Sequence, residues 1–129
     1  MGLLGRNDEF YDTKMGANIA IARHALAIDE KREDFEPTVW TPREGVDLKQ
    51  VWFSGVHSDV GGSYPPDKQS GFRASDVPLA WMLDEATEAG LKIEPHIRSS
   101  LTDGAKGKLH KSRNHVYRFK SPPTPPIGY

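Results

Sequence analysis

A histidine and an aspartate lie two residues apart in Val51-Trp52-Phe53-Ser54-Gly55-Val56-His57-Ser58-Asp59-Val60-Gly61-Gly62, just past a short apolar run. An imidazole takes and returns a proton near neutrality, its reference pKa being about 6.5, so His57 suits general base work. The plainer reading is that His57 caps the strand through hydrogen bonds. Asp59 reads as an Asx turn closing the glycine loop or as a surface carboxylate, and its spacing from His57 does not require a bond between them. Gly61 and Gly62 allow a tight backbone and close approach of a substrate or another segment. A metal reading would add His24 or His110 to His57 and Asp59 as nitrogen and oxygen ligands. No H-x-x-x-H spacing supports it, so no metal and no cofactor are expected.

A nucleophile to match this base is missing. G-x-S-x-G, which holds a serine on a strained strand-to-helix turn, occurs nowhere in the 129 residues. Gly62-Ser63-Tyr64-Pro65 lacks the second glycine, and Ser54 sits within the apolar run. Neither a P-loop nor a dinucleotide fingerprint is present. With no cysteine, a thiol nucleophile, thiolate zinc and disulfides are excluded together.

Elements must position these residues. The unalternating run Gln50 to Val56, ended at glycine, predicts a strand buried on both faces, as in a parallel sheet. Ligands and reactive groups collect at the C-terminal ends of such strands. Residues 57–71 hold two glycine and two proline neighbours and predict a loop. From Asn18 to about Glu30, Ile19, Ala22, Ala25 and Leu26 fall at helical spacing and predict a helix. A second helix is expected from Ser75 or Asp76, with Pro78 in its first turn and Gly90 as its stop. Its apolar face would be Leu79, Met82, Leu83 and Ala86, leaving Asp84, Glu85 and Glu88 on the surface. Trp52, Phe53, Trp81 and Met82 read as core. Residues 1–13 read as loop. The division expected is 1–120 as one domain portion and 121–129 as a proline-rich tail.

Lys and Arg total 17 against 18 for Asp and Glu, so the basic excess of a nucleic-acid binder is missing and no nucleic-acid partner is expected. The basic stretch from Arg98 to Lys120 reads as a solvated surface, with His110 and His115 exposed. No run approaches the roughly 18 apolar residues of a membrane span. A soluble, cytoplasmic chain is expected, with secretion as an effector left open. One strand and two helices cannot build a parallel sheet, so the chain must pair with another polypeptide or form one part of a larger domain.

Several motifs resemble a family. They are His24-Ala25-Leu26-Ala27-Ile28-Asp29-Glu30 with Arg32 and Phe35-Glu36-Pro37, the His57 loop through Ser63-Tyr64, Pro78-Leu79-Ala80-Trp81-Met82-Leu83, and Leu109-His110-Lys111-Ser112. Together and in this order they resemble the α/β-hydrolase-like domain related to the phospholipase effectors of type VI secretion. The resemblance implies an α/β fold and a Ser-Asp-His hydrolase acting on lipid esters, with the serine on an upstream Gly-Phe-Ser-Arg-Gly elbow and the acid after a later strand. Met1-Gly2-Leu3-Leu4-Gly5 looks like the stretch just past that acid. The chain is then expected to be the C-terminal part of such a domain. It keeps His57 as general base, with Asp59, Gly61 and Gly62 as its supporting loop. His24, Asp29 and Arg32 are carried over as structural. A lipid or ester substrate, and a partner chain carrying the serine, follow from the same resemblance. The competing expectations are a non-catalytic binding module and a small metal-dependent hydrolase.

Overall fold

The computed structural model describes residues 15–35 and 37–111. Strand β1 (Ile21–Ala27) and strand β2 (Asp47–Phe53) pair in parallel, in register from Ile21 with Asp47 to Ala27 with Phe53. Helix α1 is the short His57–Gly61, α2 is Asp76–Glu88 and α3 is Pro95–Ser99. Two 3-10 turns, Glu33–Phe35 and Gly104–Lys106, complete the order. The class is α/β, with a two-stranded sheet among the described residues.

The parallel character expected of the second strand is present, and the first strand replaces the helix expected over 18–30. Alanine and leucine give Ile21–Ala27 a helical propensity. Pairing along the whole of β2 outweighs it, because each strand residue then gains both a ladder partner and a side-chain neighbour. The connection over residues 28–46 has the 3-10 turn where many parallel pairs have a full helix. It is held by Gln50 on β2: the Trp40 N–H donates to Gln50 Oε1 at 2.7 Å and Gln50 Nε2 donates to the Trp40 carbonyl at 3.0 Å. His24 on β1 stacks on the Trp40 ring at 4.3 Å.

Helix α2 runs where it is expected and turns a different face inward. Pro78 and Glu85 are buried, whereas Leu79 stays 41% exposed. Trp81 meets Phe53 at 5.6 Å between ring centroids. Ser75 makes no side-chain cap, and Asp76 does not cap either. The Asp76 Oδ2 accepts from the Thr102 N–H at 2.7 Å, the Thr102 hydroxyl at 2.6 Å and Arg73 Nε at 3.2 Å, tying the chain beyond α3 back to the start of α2.

Glu85, expected on the surface, instead closes an ion network under the sheet. Its Oε1 lies 2.6 Å from Lys49 Nζ and 3.1 Å from Arg23 Nε, and Arg23 also holds Asp47 at 2.9 Å. The Lys49 hydrogen bond, with the charges of Lys49 and Arg23, outweighs desolvation and holds the Glu85 carboxyl below its ordinary range. A depressed folded-state value contributes stability that is complete above the unfolded-chain value of about 4.3 and is lost as pH falls through the folded value. Denaturant titrations should therefore show an acid limb below about pH 4.3 that Glu85→Gln flattens.

Leu26, Ala27 and Val56 form the buried hydrophobic core among the described residues. Ile19, Ile21, Ile28, Phe35, Val77 and Leu79 are each more than a third exposed. A parallel sheet normally has both faces covered. Here much of the apolar surface is open.

Candidate functional site: an imidazole and a buried carboxylate at adjoining strand ends

The loops leaving β1 and β2 are locked together before either reaches its functional side chain. The Ile28 N–H donates to the Phe53 carbonyl and the Asp29 N–H to the Gly55 carbonyl, each at 3.0 Å. The Gly55 N–H returns a bond to Asp29 Oδ2 at 2.7 Å. Gly55 has φ +106°, and a Cβ there would stand 2.5 Å from the Asp59 Cβ. Both the conformation and the space demand glycine.

This clamp delivers Glu30 and His57 to one another. His57 Nδ1 lies 2.6 Å from Glu30 Oε1. The Glu30 side chain has no exposed surface, while that of His57 is 41% exposed. Phe35 stacks on the His57 ring at 4.1 Å with 13° between planes, and the Arg32 guanidinium sits 4.5 Å from the centroid of Phe35. The imidazole is thus held at one nitrogen and along one face. It remains open to an incoming molecule beside a groove of about 440 Å³ whose walls include Leu26, Ala27, Phe35, Val60, Pro78 and Met82. Apolar grooves with one or two polar groups suit ligands that are themselves largely apolar.

Asp59 is placed apart from His57. It is buried, and its Oδ2 accepts from the Val56 N–H at 3.1 Å and the His110 N–H at 2.9 Å. His110 Nδ1 lies 2.7 Å from Asp59 Oδ1, and Tyr64 stacks on the His110 ring at 3.6 Å. The Val56 bond runs back three residues to the start of α1, away from the glycines that an Asx turn at Asp59 would close. The loop expected over 57–71 opens with α1, because this bond and Val60 N–H to the Val56 carbonyl at 3.1 Å close a helical turn. Gly61 ends α1, and Gly62 follows at φ +93°. His110 is not a freely solvated residue. Its side chain is 31% exposed and docked on Asp59.

The metal grouping is not assembled. His57 faces Glu30, His110 faces Asp59, and His24 Nδ1 lies 3.1 Å from Gln50 Oε1. Among the described residues no three potential ligands converge. No helix described is long and apolar enough to cross a membrane. Residues 1–14, His115 and the tail 121–129 lie outside the described residues.

Glu30 is the buried partner of His57 that the sequence reading passed over. A helix over 18–30 would have put it at a helix end, near solvent. Taken as a strand, the same stretch places an acid three residues past the C-terminal end of β1, where reactive groups collect.

Parallel strands carry an imidazole and a carboxylate at adjoining C-terminal ends, which gives an α/β arrangement with its candidate site at the strand ends. The catalytic-domain family described as T6SS phospholipase effector, Tle1-like, matches residues 2–85, and the chain belongs to it. A stretch of 49 residues is 45% identical to an uncharacterized protein of Saccharomyces cerevisiae, covering 38% of this chain and 7% of that protein. The chain therefore spans a small part of that relative's length. No solved structure matches the chain.

Proposed function

We propose that this chain is the base-bearing portion of a lipid-ester hydrolase, with His57 as the general base. The observation that carries the reading is the anchored, solvent-open imidazole beside an apolar groove. Membership of a phospholipase effector family supports an acyl ester of a lipid as the substrate class.

In this reading the serine hydroxyl comes from polypeptide outside these 129 residues, in the same protein or in a partner. His57 Nε2 takes the hydroxyl proton as oxygen attacks the acyl carbonyl. The imidazolium then gives that proton to the departing alkoxide, and water repeats the cycle on the acyl-enzyme. Ile19, Ile21 and Ile28, exposed along β1 and away from the groove walls, support an arrangement in which further strands continue the sheet.

Short- and long-chain acyl esters should be inert to the 129-residue chain, because its base has nothing to activate. Adding a polypeptide that carries the serine elbow should restore turnover. Turnover by the chain alone that disappears in His57→Ala would place the nucleophile within these residues, turnover that persists in His57→Ala would remove His57 as the base, and a stable complex that stays inert would favour a binding module; each result would sink the reading.

A further inference from the structure

Helix α1 borders two cavities of different character. It gives His57, Val60 and Gly61 to the apolar groove, and Ser58 and Asp59 to a larger, more polar cavity of about 750 Å³. Ser75 borders both. The carboxylates of the second cavity are already engaged. The Asp59 side chain is 1% exposed and is bonded to the Val56 and His110 N–H groups and to the His110 ring. Asp67 Oδ2 accepts from the Ser70 N–H and the Ser70 hydroxyl, each at 2.9 Å.

The donors of this cavity are not engaged. Lys68 and Lys108 make no ion pair, and the Ser58, Tyr64 and Ser75 hydroxyls make no hydrogen bond, among the described residues. Arg73 is spent on Asp76 and the Ser100 carbonyl, so the two lysines are the cations on offer. We propose that this cavity binds a phosphate group, with Lys68 and Lys108 supplying the charge and the three hydroxyls supplying hydrogen bonds. The proposal goes beyond the hydrolase reading and does not need His57 to be a base.

The physical steps are few. A cavity whose own carboxylates are engaged and whose donors stand open suits a ligand rich in acceptors and negative charge. A carboxylate offers two oxygens in one plane. A phosphate group offers more oxygens around one centre, and so meets two ammonium groups and several hydroxyls together. The phosphate has two possible sources, a lipid headgroup or a free phosphate. Ser75 borders both cavities, so an amphiphile with its apolar part in the groove would bring its headgroup here.

The test reads binding and not turnover. Amide proton–nitrogen spectra of the 129-residue chain, in about 0.15 M salt to screen long-range attraction, follow each residue. Inorganic phosphate should shift the Lys68, Arg73 and Lys108 amides saturably, and chloride at equal ionic strength should not. Lys68→Gln and Lys108→Gln should each weaken phosphate binding about two- to fivefold, and together about tenfold. Both lysines are exposed, so the fold should be undisturbed. Lys92→Gln, exposed and outside the cavity, should leave the affinity unchanged. Dihexanoylphosphatidylglycerol below its micelle concentration separates the sources. Shifts at the same three amides assign the phosphate to a lipid headgroup, and added shifts at Leu26 and Met82 place the acyl part in the groove. Lipid shifts confined to the groove, or absent, with inorganic phosphate still saturating the cavity, assign it to a free phosphate. Shifts that do not saturate, or that chloride reproduces, overturn the proposal. So does an affinity that the double variant leaves unchanged, or that Lys92→Gln lowers equally.

Discussion

His57→Ala, introduced into the hydrolase completed by its serine-bearing portion, is expected to lower kcat by about four to six orders of magnitude. The change removes the group that accepts the serine proton. The groove is lined largely by other residues and is left in place, so KM should move little. The split between kcat and KM is the useful measurement. A residue that merely shaped the groove would raise KM, whereas a base made effective in the transition state lowers kcat and kcat/KM together. Stability should also fall, by about 1–3 kcal/mol, because the buried Glu30 loses its imidazole partner. Urea denaturation of His57→Ala would show it. A fall in kcat smaller than about tenfold, with the fold intact, would assign the proton transfer to another group.

Gly55→Ala is expected to remove a large part of the fold's stability through a single methyl group. The added Cβ would stand 2.5 Å from the Asp59 Cβ and 2.8 Å from its Oδ2. Asp59 cannot step aside, since the Val56 N–H and the backbone and ring of His110 hold it. Backbone strain at φ +106° adds to the overlap. Strain and overpacking of about 1–3 kcal/mol each give a combined cost of about 2–6 kcal/mol. That is a large share of the roughly 5–15 kcal/mol that holds a domain together. Gly45→Ala is the control: at φ +83° it meets nothing within 4 Å, so only the left-handed cost of about 1–2 kcal/mol applies. Equal midpoints for the two variants would show that the Asp59 contact carries no strain. Whatever folded Gly55→Ala survives should also show a displaced His57, since Gly55 and Asp29 set the loop that carries it.

The part legible in advance was the part written in short, contiguous patterns. The apolar run ending at Gly55 predicts a strand with a parallel partner, and β2 is one. Pro78 is expected in the first turn of the second helix and Gly90 just past its end, and α2, Asp76–Glu88, fits both. The base candidate follows from one imidazole past one strand end. What failed was local propensity over 18–30. Ala and Leu at near-helical spacing look the same whether or not a neighbouring strand is there to pair with them, and only the ladder with Asp47–Phe53 decides for β1. That one misreading also hid Glu30.

By itself, then, the sequence determined which atoms are on hand: one imidazole at a strand end, no thiol, no serine elbow and no charge excess for nucleic acid. Those are properties of composition and near-neighbour order, and they need no folding to be true. The tertiary structure decided who faces whom. Glu30 and His57 are 27 residues apart and meet at 2.6 Å; Asp59 sits two positions from His57 and turns to His110, 51 residues on. Partner choice depends on which strand ends lie side by side and which side of a one-turn helix faces the groove, and neither is encoded in the spacing of the residues concerned.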